Sequence, residues 1–107
     1  MQDGSGNDSV MSKPAYLVVD ARVTDPDRIL KYRELAGIAV ANYGGRYLVR
    51  GGMVESLEGD WRPERIVIVQ FDSAETVRRF YDSPEYRAAR GARDGAAEFD
   101  MLLVQGY

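Results

Sequence analysis

The chain has 107 residues, a formal charge of -3, and neither histidine nor cysteine. A single domain of this size buries about 60 to 70% of the surface its unfolded form exposes, so a core is feasible without disulfide or metal staples. The same composition excludes thiolate metal sites, ordinary zinc sites, His-ligated haem and Ser-His-Asp chemistry, and the negative charge is the wrong sign for a chain that neutralises phosphate backbones, so nucleic acid is not an expected partner. Along the chain, residues 1–12 read as a disordered extension, with Met11 as an alternative start, and residues 13–107 as one domain. The leading segment has no basic start and no apolar centre, and no apolar run approaches the roughly 20 residues that span a bilayer, so the sequence predicts no signal, no membrane partner and a cytoplasmic location.

Ala15 to Val23 reads as a first strand, centred on Leu17, Val18 and Val19. Asp25-Pro26 supplies a helix cap followed by proline at the first helical position, and Ile29, Tyr32, Ala36, Ala39 or Val40, and Tyr43 form one apolar stripe on that helix, closed by Gly44 and Gly45. Arg46 to Arg50 is a second strand, and Gly51 to Arg62 a loop or ragged hairpin arm. A third strand runs from Arg65 to Phe71. Ser73 caps a second helix with Val77 and Phe80 inward, Ser83-Pro84 starts a further helical piece through Tyr86 and Ala89 that frays toward Gly91 and Gly95, and Phe99 to Gln105 is the fourth strand.

This order predicts an α+β, ferredoxin-like βαββαβ arrangement: a four-stranded antiparallel sheet with helices on one face. Ile66 and Ile68 point opposite to Val67, Val69 and Phe71, and Leu102 and Val104 oppose Met101 and Leu103, so both sides of these strands are apolar. Helices cover only one side. A second copy of the sheet packed about a two-fold axis would cover the other, which predicts a homodimer in the form of a dimeric α/β barrel.

Candidate site residues cluster around the second strand. Plain alternation would put Arg46, Leu48 and Arg50 on one face, with guanidinium groups about 7 Å apart, suited to a carboxylate or enolate. The alternative pairs Arg50 with Glu55 or Glu58 in the loop. Those carboxylates, with Asp60 nearby, are candidates for proton transfer, and Trp61 for stacking on a planar ligand or for burial at the dimer contact. Tyr32, Tyr81 and Tyr86 combine apolar bulk with one hydrogen-bonding end, suited to a pocket wall or to the edge of a core. No metal or cofactor is expected. All but two of the 14 basic residues are arginine, which suits bidentate recognition of carboxylates, although a genome rich in G and C also favours arginine.

The run Gly45-Arg46-Tyr47-Leu48-Val49-Arg50-Gly51-Gly52, then Glu55, Leu57-Glu58-Gly59 and Trp61, then Val67 to Phe71, and Phe80-Tyr81 with Ser83-Pro84-Glu85-Tyr86 resembles the family catalogued as domain of unknown function 1330. The resemblance covers about Lys13 to Tyr107. It implies membership of the dimeric α/β barrel superfamily and carries no established activity. That superfamily also includes cofactor-independent monooxygenases of aromatic polyketides, muconolactone isomerases, haem-dependent chlorite dismutases and ligand-sensing domains, and the missing histidine argues against the haem branch. The sequence thus predicts a dimer that binds a small anionic or aromatic metabolite without a complete catalytic set. The alternative is a cofactor-independent enzyme performing proton transfer or oxygenation on an enolisable substrate.

Overall fold

The structure, a computed structural model, describes residues 13–107. Elements follow in the order β1 (Ala15–Val23), α1 (Ile29–Asn42), β2 (Arg46–Arg50), β3 (Arg65–Phe71), α2 (Ala74–Asp82), α3 (Pro84–Arg93) and β4 (Ala97–Gln105). All strand pairs are antiparallel in the order β2-β3-β1-β4, so β1 and β3 are central and β2 and β4 are edges. This is the ferredoxin-like arrangement read from the sequence. The expected extension at residues 1–12 lies outside the described residues.

Local chemistry accounts for the boundaries. The Asp25 carboxylate accepts from the backbone N–H of Asp27 and of Arg28, at 3.2 and 3.0 Å, holding the turn that leads into α1. Gly44 ends that helix at φ 72°, a left-handed conformation that glycine adopts without steric cost. Ser73 and Ser83 each accept from the N–H three residues on, Thr76 and Tyr86, at 3.1 Å, which fixes the starts of α2 and α3. Two starts differ from the sequence reading. α1 begins at Ile29 rather than at Pro26, because residues 26–28 form the turn that the Asp25 carboxylate holds, and β4 begins at Ala97 rather than Phe99, because Val23 still has Ala97 opposite it as a ladder partner.

The core lies between the sheet and the helices. Ala15, Leu17, Val19 and Ala21 present the inner face of β1, and Val69 and Phe71 that of β3, against Ile29, Ala36, Ala39 and Val40 of α1 and Val77, Phe80, Tyr86 and Ala89 of α2 and α3. Phe80 anchors this layer, with its ring centroid 5.0 Å from Phe71 and 4.5 Å from Tyr86. On the outer face, register aligns Val49, Ile68, Val18 and Leu102 in one apolar row across all four strands. Leu102 is 64% exposed and Val104 45%. The row is flanked by a polar group in which Arg22 reaches both Asp20 and Asp100, at 3.4 and 3.3 Å.

One prediction about β2 fails. Tyr47 pairs with Val69 and Val49 with the adjacent Ile68, so Leu48 is an extra residue in a β-bulge. A one-residue insertion inverts the parity of everything after it. Arg46 therefore faces outward, where it donates to Gln70 Oε1 at 3.1 Å, whereas Arg50 sits opposite Val67 on the helix side. Arg46, Leu48 and Arg50 do not share a face.

Candidate functional site

The bulge delivers Arg50 to the mouth of a cleft between α1 and the inner face of the sheet. Leu17 and Val19 of β1 with Val67 and Val69 of β3 form its floor, Ile29, Ala36 and Val40 of α1 its roof, and Phe80, Tyr86 and Phe99 further walls. The enclosed volume is about 50 Å³. That admits a few water molecules or a slim chain or flat group, and nothing bulky.

Three arginines line this cleft, each from a different element: Arg33 from α1, Arg50 from β2 and Arg65 from the start of β3. The Arg50 guanidinium lies 4.2 Å from the centroid of the Tyr47 ring, stacked on its π face. It also rests on the helix at Gly37, where an added methyl group would lie 3.9 Å from Nη2. Arg65 is seated still more closely. Gly51, at φ 78°, leaves the space its guanidinium occupies, since a Cβ there would fall 1.9 Å from Nη1. Gly51 also donates its N–H to the carbonyl of Ile66 at 3.0 Å, so the turn that holds Arg65 is tied to the sheet.

Among the described residues, no carboxylate lies within ion-pairing distance of these arginines; the ion pairs present are Arg22 with Asp20 and Asp100, Lys31 with Glu34, and Arg79 with Glu75. Burial holds the Arg65 guanidinium below its usual range, and the positive charges of Arg33 and Arg50 lower it further. Tyr47 is half-buried; burial pushes its phenol up, and Arg50 and Arg65 pull it back down. The result is a concentration of positive charge, supported by an aromatic ring and two glycines, at the entrance to an apolar slot.

Tyr32 and Tyr86 also line the cleft, and their hydroxyl oxygens are 2.7 Å apart. Burial raises both phenols above the usual tyrosine range. Arg93 flanks them from α3, with its guanidinium 5.6 Å from the Tyr32 ring centroid and 4.4 Å from that of Phe99.

Of the residues singled out from the sequence, the structure brings Arg50, Tyr32 and Tyr86 to one cleft. Tyr81 lies elsewhere, beside an open groove of about 310 Å³ along β4 with Val77, Met101 and Leu103, under the guanidinium of Arg90 at 4.1 Å. Trp61 is on the opposite side of the sheet, where its indole N–H donates to Asp20 Oδ2 at 2.9 Å. Glu55 and Glu58 stand exposed on the irregular arm of residues 51–64, and neither pairs with Arg50 among the described residues. Sequence reading missed Arg33, Arg65 and Tyr47. Arg65 had a usable signal, because it shares parity with Val67 and Val69 and so belongs to the inner face.

Solved structures define the class. A protein of unknown function from Rhodopseudomonas palustris is 19% identical with a TM-score of 0.69, over 90% of this chain and 84% of that one. A dimeric protein of unknown function and ferredoxin-like fold from Bacteroides fragilis is 14% identical with a TM-score of 0.59, over 87% and 96%. SnoaB, a cofactor-independent oxygenase from Streptomyces nogalater, is 12% identical with a TM-score of 0.57, over 90% and 95%. At these identities the likeness establishes a ferredoxin-like fold. No curated protein matches the chain. Residues 14–107 match the family described as "Domain of unknown function (DUF1330)", and the chain belongs to it.

Proposed function

We infer that the protein binds a small organic anion in the cleft between α1 and the sheet, with the carboxylate or enolate among Arg33, Arg50 and Arg65 and a slim or flat apolar body in the slot. The observation that carries this reading is the gathering of three cations from three elements at an apolar opening that supplies no carboxylate among the described residues. Arginines in a purely structural role pair with acids, stack on aromatic rings or splay into water, and the stacking of Arg50 on Tyr47 accounts for only one of the three. Here they are drawn together against their mutual repulsion, an arrangement that an anion completes. Isothermal titration with hexanoate, benzoate and the neutral hexanamide tests it. Both acids bind wild type, the amide does not, and Arg50→Ala loses the acids while keeping its melting temperature; equal binding of acid and amide, or no binding of either acid, refutes the reading.

The assembly that accompanies this function is a homodimer formed through the outer sheet face. The apolar row Val49, Ile68, Val18 and Leu102 supports it, as do Met53, Leu57 and Trp61 of the arm, which are 92%, 91% and 63% exposed. Each large side chain so covered contributes about 1.5 to 3 kcal/mol, enough in sum to offset an association cost of roughly 4 to 15 kcal/mol. The dimeric Bacteroides fragilis protein shares the fold. Sedimentation equilibrium at micromolar concentration gives twice the chain mass for wild type and a single chain for Ile68→Lys; a wild-type monomer refutes the assembly.

A catalytic reading, cofactor-independent oxygenation or isomerisation of an enolisable acid, is favoured by the buried pair Tyr32 and Tyr86 in the same cleft and by the shared fold with SnoaB. It predicts that an enolisable acid exchanges its α-hydrogen with deuterium oxide faster in the presence of the protein than with Arg50→Ala. Equal exchange rates contradict it.

A further inference from the structure

The two hydroxyls of Tyr32 and Tyr86 carry two protons, and the bond between them, 2.7 Å long, uses one. The other proton has no acceptor among the described residues. Neither ring is free to carry it to solvent: Tyr32 is 9% exposed and Tyr86 1%, with Phe99 edge-on to Tyr32 at 5.2 Å and Phe80 against Tyr86 at 4.5 Å. An unspent O–H donor in an apolar enclosure costs free energy, and phenylalanine at both positions would fill the same space without that cost. Both residues line the cleft whose mouth holds Arg33, Arg50 and Arg65.

We propose that the Tyr32–Tyr86 pair is a second recognition point of this cleft, donating its free O–H to a carbonyl oxygen at the far end of a slim oxo acid whose carboxylate lies among the three arginines. The proposal rests on the organic-anion reading above and narrows it from acids in general to acids bearing a second oxygen acceptor. The enclosed volume of about 50 Å³ favours an unbranched chain. Two properties suit the pair to this task. Burial keeps both phenols protonated well above neutral pH, so the donor is always present. The Arg93 guanidinium near the Tyr32 ring, at 5.6 Å, makes the phenol O–H groups more acidic and so better donors to a carbonyl oxygen.

The test titrates hexanoate and its 4- and 5-oxo derivatives into wild type, Arg50→Ala and the double variant Tyr32→Phe/Tyr86→Phe. The double variant is the informative one, because a single replacement leaves one hydroxyl with its proton to give. At least one oxo acid binds wild type about 2- to 12-fold more tightly than hexanoate, the increment of one neutral hydrogen bond. In the double variant that preference disappears while hexanoate affinity is kept, and Arg50→Ala weakens every acid alike. If wild type binds hexanoate but shows no preference at any oxo position, or if the double variant retains the preference, the second recognition point is refuted and the anion site stands. Failure of every acid to bind wild type overturns both.

Discussion

Replacing Arg65 with methionine separates a binding arrangement from a structural one, because the two make opposite predictions for the ligand-free protein. Arg65 shares its surroundings with Arg33 and Arg50, both of which disfavour its charge, and has no carboxylate in ion-pairing distance among the described residues. Methionine keeps an unbranched apolar stem, removes the charge and vacates the guanidinium's place beside Gly51. A like-charge neighbour at a partly exposed site costs a few tenths to about 1 kcal/mol, so relief from two neighbours, less the lost guanidinium packing, stabilises by roughly 0.5 to 1 kcal/mol. For a domain near this length that raises the melting temperature by about 2 to 8 °C. Differential scanning calorimetry at about 0.01 M and about 0.15 M salt checks the cause, since screening shortens the reach of charge from about 30 to 8 Å and shrinks the gain. The same variant weakens hexanoate about 10-fold or more, as expected for loss of a charge-assisted hydrogen bond. A destabilisation of about 2 kcal/mol or more would refute the reasoning, because it would show that Arg65 holds a structural partner.

Two further outcomes follow from the packing and the titrating groups. Gly45→Ala places a Cβ 2.8 Å from both Phe71 Cε1 and Val40 Cγ1, core atoms with nowhere to move, and costs about 1 to 3 kcal/mol in urea unfolding; the added methyl on Gly52, which meets nothing within 4 Å, costs far less. Tyr32 and Tyr86 have folded-state phenols raised above the ordinary value of 10.0, so the unfolded chain releases their protons first. Their contribution to stability is complete below about pH 10 and declines as pH rises beyond it. Denaturation midpoints followed from pH 8 to 11 fall less steeply in Tyr32→Phe/Tyr86→Phe than in wild type, and parallel curves contradict this.

The architecture was legible because each local signal agreed with the others. Gly44, Ser73 and Ser83-Pro84 mark helix ends, and Asp25-Pro26 the turn before one, through backbone chemistry that depends on near neighbours, and the apolar pairs of β3 and β4 announce a sheet with two apolar faces. The site was only half legible, and the reason is a single residue. Periodicity assigns faces by parity, and the bulge at Leu48 breaks parity between Arg46 and Arg50 without any glycine or proline at the point of insertion. Arg50 was therefore singled out for the wrong geometric reason. Arg33 joins it only through the packing of α1 across the sheet, which no local pattern reports, whereas Arg65 comes beside it through the pairing of β2 with β3. Trp61 and Tyr81, equally plausible as side chains, lie on other surfaces because the arm and α2 carry them there.

The proposed site admits an organic acid between α1 and the inner sheet face, guided by three arginines. Amide chemical-shift mapping with hexanoate in the uniformly ¹⁵N-labelled protein tests it most directly. The account predicts shifts concentrated at Gly37, Tyr47, Gly51 and Arg65, saturating with concentration and absent in Arg50→Ala. Shifts centred instead on Val18, Ile68 and Leu102 of the outer face, or no saturable shifts at all, would contradict it.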